Sequence, residues 1–160
     1  MRFLIIALVL SISALGYSQD IKLVKITELL KRVNNNSDTT YIVNFWATWC
    51  APCVKELPCF DTITTTYPND KIKILLVSLD FVDAIDTRLI PFIKKKEIKH
   101  EIVVLDETNG NYFIPLVSEK WSGVIPATWI VNKNKKVNYF FERKIQFDFL
   151  KTKIEEIKAL

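Results

Sequence analysis

The 160-residue chain is poor in metal ligands, with one histidine and three cysteines. A structural zinc site takes four Cys or His ligands. Beyond the pair Cys50 and Cys53, the sequence offers only Cys59 and His100, with no second Cys-x-x-Cys and no His pair. No metal and no cofactor is therefore expected. Repeats, low-complexity tracts and linkers rich in Pro, Gly or Ser are also missing, so nothing divides the chain into several folded domains. Charge of one sign is in short supply. Against 18 Asp and Glu stand 22 Lys and Arg, a net +4, too modest to argue for nucleic acid as a partner. The clusters Lys94-Lys95-Lys96 and Lys133-Asn134-Lys135-Lys136 read as a solvated helix face and a turn.

A long hydrophobic run is lacking as well. Residues 3–15 are apolar except for Ser11 and Ser13, and this is shorter than the roughly 17–25 residues that span a bilayer. Arg2 precedes the run and Gly16-Tyr17-Ser18 follows it. Positive, then apolar, then small is the order of a secretory signal, so 1–18 is expected to be removed and 19–160 to be the mature domain. An uncleaved anchor is the alternative. No Cys follows the run to take a lipid. In an exported chain the odd cysteine count leaves at least one thiol outside any internal pairing.

Hydrophobic periodicity supplies the elements. Thr27 is placed to cap a helix through Leu29, Leu30 and Val33, ended by the polar stretch 34–38. Residues 41–46 read as a buried strand rich in β-branched and aromatic side chains. From Cys50 the pattern is helical to about Tyr67, with Pro58 inside it. Residues 72–79 form the continuous apolar run of a parallel strand covered on both faces. Residues 86–97 look helical, 101–105 a short strand, and 112–121 a short helix broken by Pro115. Residues 127–131 and 136–141 form a hairpin, and 146–158 an amphipathic closing helix with Phe149, Leu150, Ile154 and Ile157 on one side. The fold class is α/β, a central mixed sheet with helices on both faces.

Chemistry concentrates at Trp49-Cys50-Ala51-Pro52-Cys53, between the first long strand and its helix. Two thiols at this spacing form a dithiol/disulfide switch. The first sits where a helix N-terminus has unpaired N–H groups and partial positive charge, which stabilises a thiolate. The second is within reach to attack the resulting mixed disulfide. Pro52 suits a first helical turn, where its missing N–H costs nothing. Cys50 should be the exposed nucleophile and Cys53 the more buried resolving thiol. Glu56, three residues on, is either a plain surface charge or an acid/base for the resolving thiol. Trp46 and Trp49 read as packing around the site, with an apolar rim that would help bind unfolded polypeptide. Cys59 is expected to be a buried small hydrophobe outside the redox cycle, and His100 a surface residue.

The run Asn44-Phe45-Trp46-Ala47-Thr48-Trp49-Cys50-Ala51-Pro52-Cys53-Val54-Lys55-Glu56-Leu57-Pro58 resembles the active-site segment of the TlpA/ResA-like proteins, exported thioredoxin-fold thiol-disulfide oxidoreductases. Gly123-Val124-Ile125-Pro126-Ala127-Thr128-Trp129 is similar to that family's second landmark, and the resemblance covers about residues 38–160. It implies a thioredoxin fold with an inserted helix–strand unit in roughly 86–122, and a redox-active Cys50–Cys53 disulfide. It also implies a cis Pro126 that turns the Ile125 backbone toward the dithiol. Glu56 would be the family's acidic residue beside the site, and Trp49, Ala51, Pro52 and Ile125 would contact substrate. The implied partners are cysteine-containing proteins and a membrane thiol-disulfide electron donor, in the periplasm or another extracytoplasmic space. The family's usual direction is disulfide reduction, often in cytochrome c maturation. A monomer is expected.

Two rivals start from the same fold. A thiol peroxidase of the peroxiredoxin type would want a Thr three residues before its reactive Cys, where this chain has Ala47. A copper-binding chaperone would space its cysteines by three and add a His near the hairpin, but the spacing here is two and His100 lies well before Pro126.

Overall fold

The computed structural model describes residues 21–160, so the expected signal in 1–18 lies outside the described residues. The elements run β1 (Lys22–Val24), α1 (Ile26–Val33), β2 (Thr40–Trp46), α2 (Ala51–Thr66), β3 (Ile72–Ser78), α3 (Ile90–Lys96), β4 (Glu101–Leu105), α4 (Gly110–Val117), β5 (Ala127–Asn132), β6 (Val137–Phe141) and α5 (Phe147–Lys158). Six strands make one sheet in the order β1-β4-β3-β2-β5-β6. The first four are mutually parallel, while β5 runs antiparallel to both β2 and β6. The inserted unit is α3 with β4, which slots between edge strand β1 and β3.

Strand alternation divides the core into two layers. Ile42, Trp46, Ile74, Leu76, Ile102, Val104 and Ile130 pack with α2, α3 and α5. Their neighbours Val43, Phe45, Leu75, Val77, Val103 and Trp129 point the other way, onto α1 and α4. Every residue of β2 is buried, as a central strand covered on both faces requires. Asn44 and Thr128 face each other across the β2–β5 pair. Period-two alternation places both on the α2 side.

Several expectations are corrected. Strand β1 was not anticipated, and α1 begins at Ile26 rather than after Thr27. Its start is fixed by the Glu28 carboxylate, which accepts the Lys25 N–H at 2.9 Å. The helix expected over 86–97 opens with a 3-10 turn, Val82–Ala84, and a π turn, Ile85–Leu89. Pro91 has no N–H for the Thr87 carbonyl, so the ladder shifts to the Ile90 N–H bonding Ile85 O. Helix α4 lies at Gly110–Val117 and contains Pro115, earlier than the expected 112–121.

His100 is not a surface residue. Its side chain is only 11% exposed, with Nε2 2.8 Å from Asp61 Oδ1 on α2. Burial lowers its pKa below the ordinary value, against the pull of Asp61.

Candidate active site

The site forms at the C-terminal ends of β2 and β3, where the chain leaves the sheet. Cys50 is the N-cap of α2, and its sulfur accepts the Cys53 N–H at 3.3 Å. Pro52 occupies the first turn. Cys50 and Cys53 are joined as a disulfide, with Cα atoms 5.3 Å apart. One expectation changes here, because Cys50 is only 5% exposed and Cys53 fully buried. The Ile125–Pro126 peptide bond is cis, and the Ile125 carbonyl oxygen lies 3.7 Å from Cys50 Sγ. With the sulfur oxidised this is a contact; a reduced Cys50 thiol would donate to that carbonyl.

Glu56 is not a surface charge. It is 1% exposed, and both carboxylate oxygens are held. Oε1 accepts from Asn44 Nδ2 and Oε2 from the Ile145 N–H, each at 2.7 Å. Burial raises its pKa from 4.5 to about 7, while the Ile145 and Asn44 hydrogen bonds and the Lys144 charge pull the other way. Asn44 Nδ2 also reaches Thr128 Oγ1 at 3.1 Å. Glu56 lies three residues after Cys53 on α2, a separation that puts Cβ atoms about 5–6 Å apart.

Two further carboxylates, which no sequence motif singles out, fasten the surrounding loops. Asp80 is 3% exposed and accepts from Thr48 N at 3.0 Å, Thr48 Oγ1 at 2.6 Å and Ser78 Oγ at 2.8 Å. It ties the loop before Cys50 to the loop after β3. The only signal was an acid directly after an apolar run. Glu142, after β6, accepts from Ser122 N and Val124 N at 3.1 and 2.9 Å and from Ser122 Oγ. Trp121 Nε1 donates to Val124 O at 2.9 Å. Within this loop Gly123 has φ 95°, a left-handed backbone that side chains with a Cβ avoid.

Among the expected contact residues, Ala51 and Pro52 are exposed and Ile125 half-buried. The two tryptophans part company, since Trp46 is fully buried in the core and Trp49 is 56% exposed at the rim. Cys59 is half-buried rather than buried, and burial and the Glu56 charge push its thiol pKa up to about 11.

The AhpC/TSA family model matches residues 19–140. The chain belongs to the AhpC/TSA family. Among curated relatives it is 28% identical over 102 residues to sporulation thiol-disulfide oxidoreductase A of Bacillus subtilis, covering 64% of this chain and 58% of that one. It is also 28% identical over 97 residues to a thiol-disulfide oxidoreductase ResA of Bacillus cereus, covering 59% and 50%. The chain thus spans little more than half the length of these relatives.

Solved structures show the thioredoxin fold. A thioredoxin-related protein from Neisseria meningitidis serogroup B superposes with a TM-score of 0.65 at 22% identity, over 78% of this chain and 88% of that one. A secreted disulfide oxidoreductase of Mycobacterium tuberculosis, described as homologous to E. coli DsbE, gives 0.53 at 16% identity, over 78% and 84%.

Proposed function

We propose that this AhpC/TSA-family protein is an exported thiol-disulfide oxidoreductase that reduces disulfides in other proteins through Cys50 and Cys53. The observation that carries the reading is the disulfide at the start of α2. Its first sulfur caps the helix and accepts the Cys53 N–H, an environment that favours a thiolate.

In the reduced protein the Cys50 thiolate attacks a substrate disulfide. That S–S bond breaks, one substrate thiolate leaves, and a mixed disulfide forms. The Cys53 thiol gives its proton to the Glu56 carboxylate, whose pKa of about 7 suits it to exchange protons near neutral pH. The Cys53 thiolate then attacks Cys50 Sγ, closing the Cys50–Cys53 bond and releasing the second substrate thiolate. Two electrons have passed to the substrate. A membrane-bound dithiol donor returns two, taking the disulfide itself. Pro126 carries no N–H, so it donates nothing to the sulfurs, and the Ile125 backbone is offered to an extended substrate as to an added strand.

The export half of the proposal rests on the order of residues 1–18 and on the likeness to a secreted oxidoreductase. Cytochrome c maturation as the process served rests on the resemblance of residues 44–58 and 123–129 to the TlpA/ResA-like proteins. The protein acts as a monomer.

The rival readings are disfavoured by particular positions. Ala47, fully buried, leaves no hydroxyl where a peroxidase of the peroxiredoxin type wants one. His100 immediately precedes β4, so it stands at the opposite end of the parallel strands from Cys50, away from any copper site at the dithiol.

The reduction potential of the Cys50/Cys53 couple tests the direction. A value near −200 mV or lower, toward the roughly −270 mV of thioredoxin, supports the reductase. One near about −120 mV, as in DsbA, makes the protein an oxidase.

A further inference from the structure

A glutamate just past the end of a surface strand is ordinarily a solvated charge, but Glu142 is half-buried and fully engaged. Strand β6 ends at Phe141, which pairs with Thr128, so the next residue arrives beside the start of β5, where Pro126 leads in. There its carboxylate takes three donors from one short loop. Oε1 accepts the Val124 N–H at 2.9 Å and the Ser122 hydroxyl, and Oε2 accepts the Ser122 N–H at 3.1 Å. Hydrogen bonds from backbone N–H groups to a carboxylate are among the strong ones. The loop is also seated from two other sides. Trp121 Nε1 donates to Val124 O at 2.9 Å, and a Cβ at Gly123 would lie 3.0 Å from Ile114 Cδ1 of α4.

Both backbone groups of Val124 are therefore taken inside the protein. The N–H of the next residue, Ile125, has no acceptor among the described residues, and its carbonyl stands 3.7 Å from Cys50 Sγ. We propose that Glu142 is a positioning residue for polypeptide substrates, holding Val124 so that the Ile125 backbone is presented in fixed register with the Cys50 sulfur. The proposal rests on the oxidoreductase reading and on the strand pairing it includes. Glu142 bonds to the loop rather than to either thiol, so it acts through Val124 and Ile125. A peptide substrate must pair its backbone with Ile125 and bring its disulfide to Cys50 at the same time, which demands a loop fixed relative to the sulfur. A small disulfide with no backbone to pair makes no such demand.

The test uses the full protein, reduced beforehand, and two substrates. One is an extended peptide joined to a second copy through a central disulfide, the other hydroxyethyl disulfide. Glu142→Ala should raise KM for the peptide about tenfold or more while kcat changes less than about threefold, the pattern of lost binding. Hydroxyethyl disulfide should lose much less, so the ratio of the two kcat/KM values falls. Glu142→Gln keeps Oε1 as an acceptor for the Val124 N–H and should recover most of the peptide KM. Glu119→Ala removes an exposed carboxylate nearby in the chain and should leave both substrates unaffected. Amide hydrogen exchange reads the clamp directly, since the Ser122 and Val124 N–H groups should exchange about tenfold or more faster in Glu142→Ala. An unchanged peptide KM overturns the proposal. So does an equal loss on both substrates, which would make Glu142 a structural support. Should Glu142→Ala not fold, Ser122→Ala removes one donor to the same carboxylate and should shift the ratio in the same direction; no shift overturns the proposal. If the wild type reduces both substrates and Glu142→Ala leaves their ratio alone, only the positioning role is wrong; if it reduces neither, the oxidoreductase reading falls too.

Discussion

Glu56 and Ile145 meet through a 2.7 Å hydrogen bond from the Ile145 N–H to the Glu56 carboxylate, which joins the active-site helix to the segment leading into α5. The carboxylate sits in the apolar layer shared by α2 and α5, and a buried charge is tolerated only when its oxygens are satisfied. Here two donors do so, one backbone and one from Asn44. This partial compensation leaves the pKa at about 7, between a solvated Glu and an unpartnered buried one.

Kinetics should register that value. The proton acceptor for Cys53 must be ionised, so the resolving step should accelerate as pH rises through about 7. Glu56→Gln should remove this inflection and slow the step by about 10²–10⁴-fold, the usual range for general acid–base catalysis. Stopped-flow decay of a preformed mixed disulfide across pH 5–9 measures it. An unchanged profile excludes Glu56 from proton transfer.

Stability carries the same signature with a fixed sign. A carboxyl whose folded pKa is raised resists ionisation in the native state. Its favourable contribution is fully present below the unfolded value of 4.5 and is lost as pH rises through about 7. The whole difference is roughly 3 kcal/mol. Urea unfolding of the oxidised protein should show the wild type losing stability relative to Glu56→Gln across this window. His100, with its lowered pKa, titrates in both proteins and cancels in the comparison. Parallel curves would refute the assignment.

Asn44 should act through Glu56. Removing its amide in Asn44→Ala deletes the 2.7 Å bond to Oε1, one of the interactions that hold the pKa down. The inflection in the pH–rate profile should move above 7. Hydrogen bonds to charged groups are worth about 1.5–3 kcal/mol, and a loss of that size is expected at pH 8, where Glu56 is ionised. A fall in stability with no movement of the inflection would make Asn44 purely structural.

The two thiols should separate cleanly by role. Cys53→Ala removes the resolving step and should accumulate mixed disulfides on Cys50, visible by mass spectrometry. Cys50→Ala should trap none, because fully buried Cys53 has no access to substrate. Equal trapping by both variants would reverse the assignment of nucleophile.

What the sequence made legible follows from how local each cause is. Strands β2 and β3 declare themselves by apolar stretches, rich in β-branched and aromatic residues in β2 and in Ile, Leu and Val in β3, and α2 by the dithiol at its start. Strand β1 could not be read, since three residues with two exposed carry no periodicity and exist as a strand only by pairing with β4, Lys22 against Val103. The burial of Glu56 was hidden for the same reason, because its partner N–H lies 89 residues away. His100 misled because the α2 face it packs against, which carries its partner Asp61, lies on another element. Asp80 belongs to no motif, and only the approach of β2 to β3 brings Thr48 within its reach.

Cys59 tests the boundary of the site. From Cys53 it is six residues along α2, about 9 Å of helical rise, beyond the roughly 7 Å between Cα atoms that a disulfide spans. Burial and the nearby Glu56 charge raise its pKa to about 11, so at pH 8 only about one thiol in a thousand is ionised. Iodoacetamide should therefore label the oxidised native protein slowly, and denaturation should accelerate labelling by about tenfold or more, with one thiol counted per chain. Half-burial predicts measurable native labelling, unlike full burial. Glu56→Gln removes one of the two causes of the raised pKa and should speed the native reaction at pH 8. A covalent dimer abolished by Cys59→Ser would show instead that this thiol reaches solvent well enough to pair between chains.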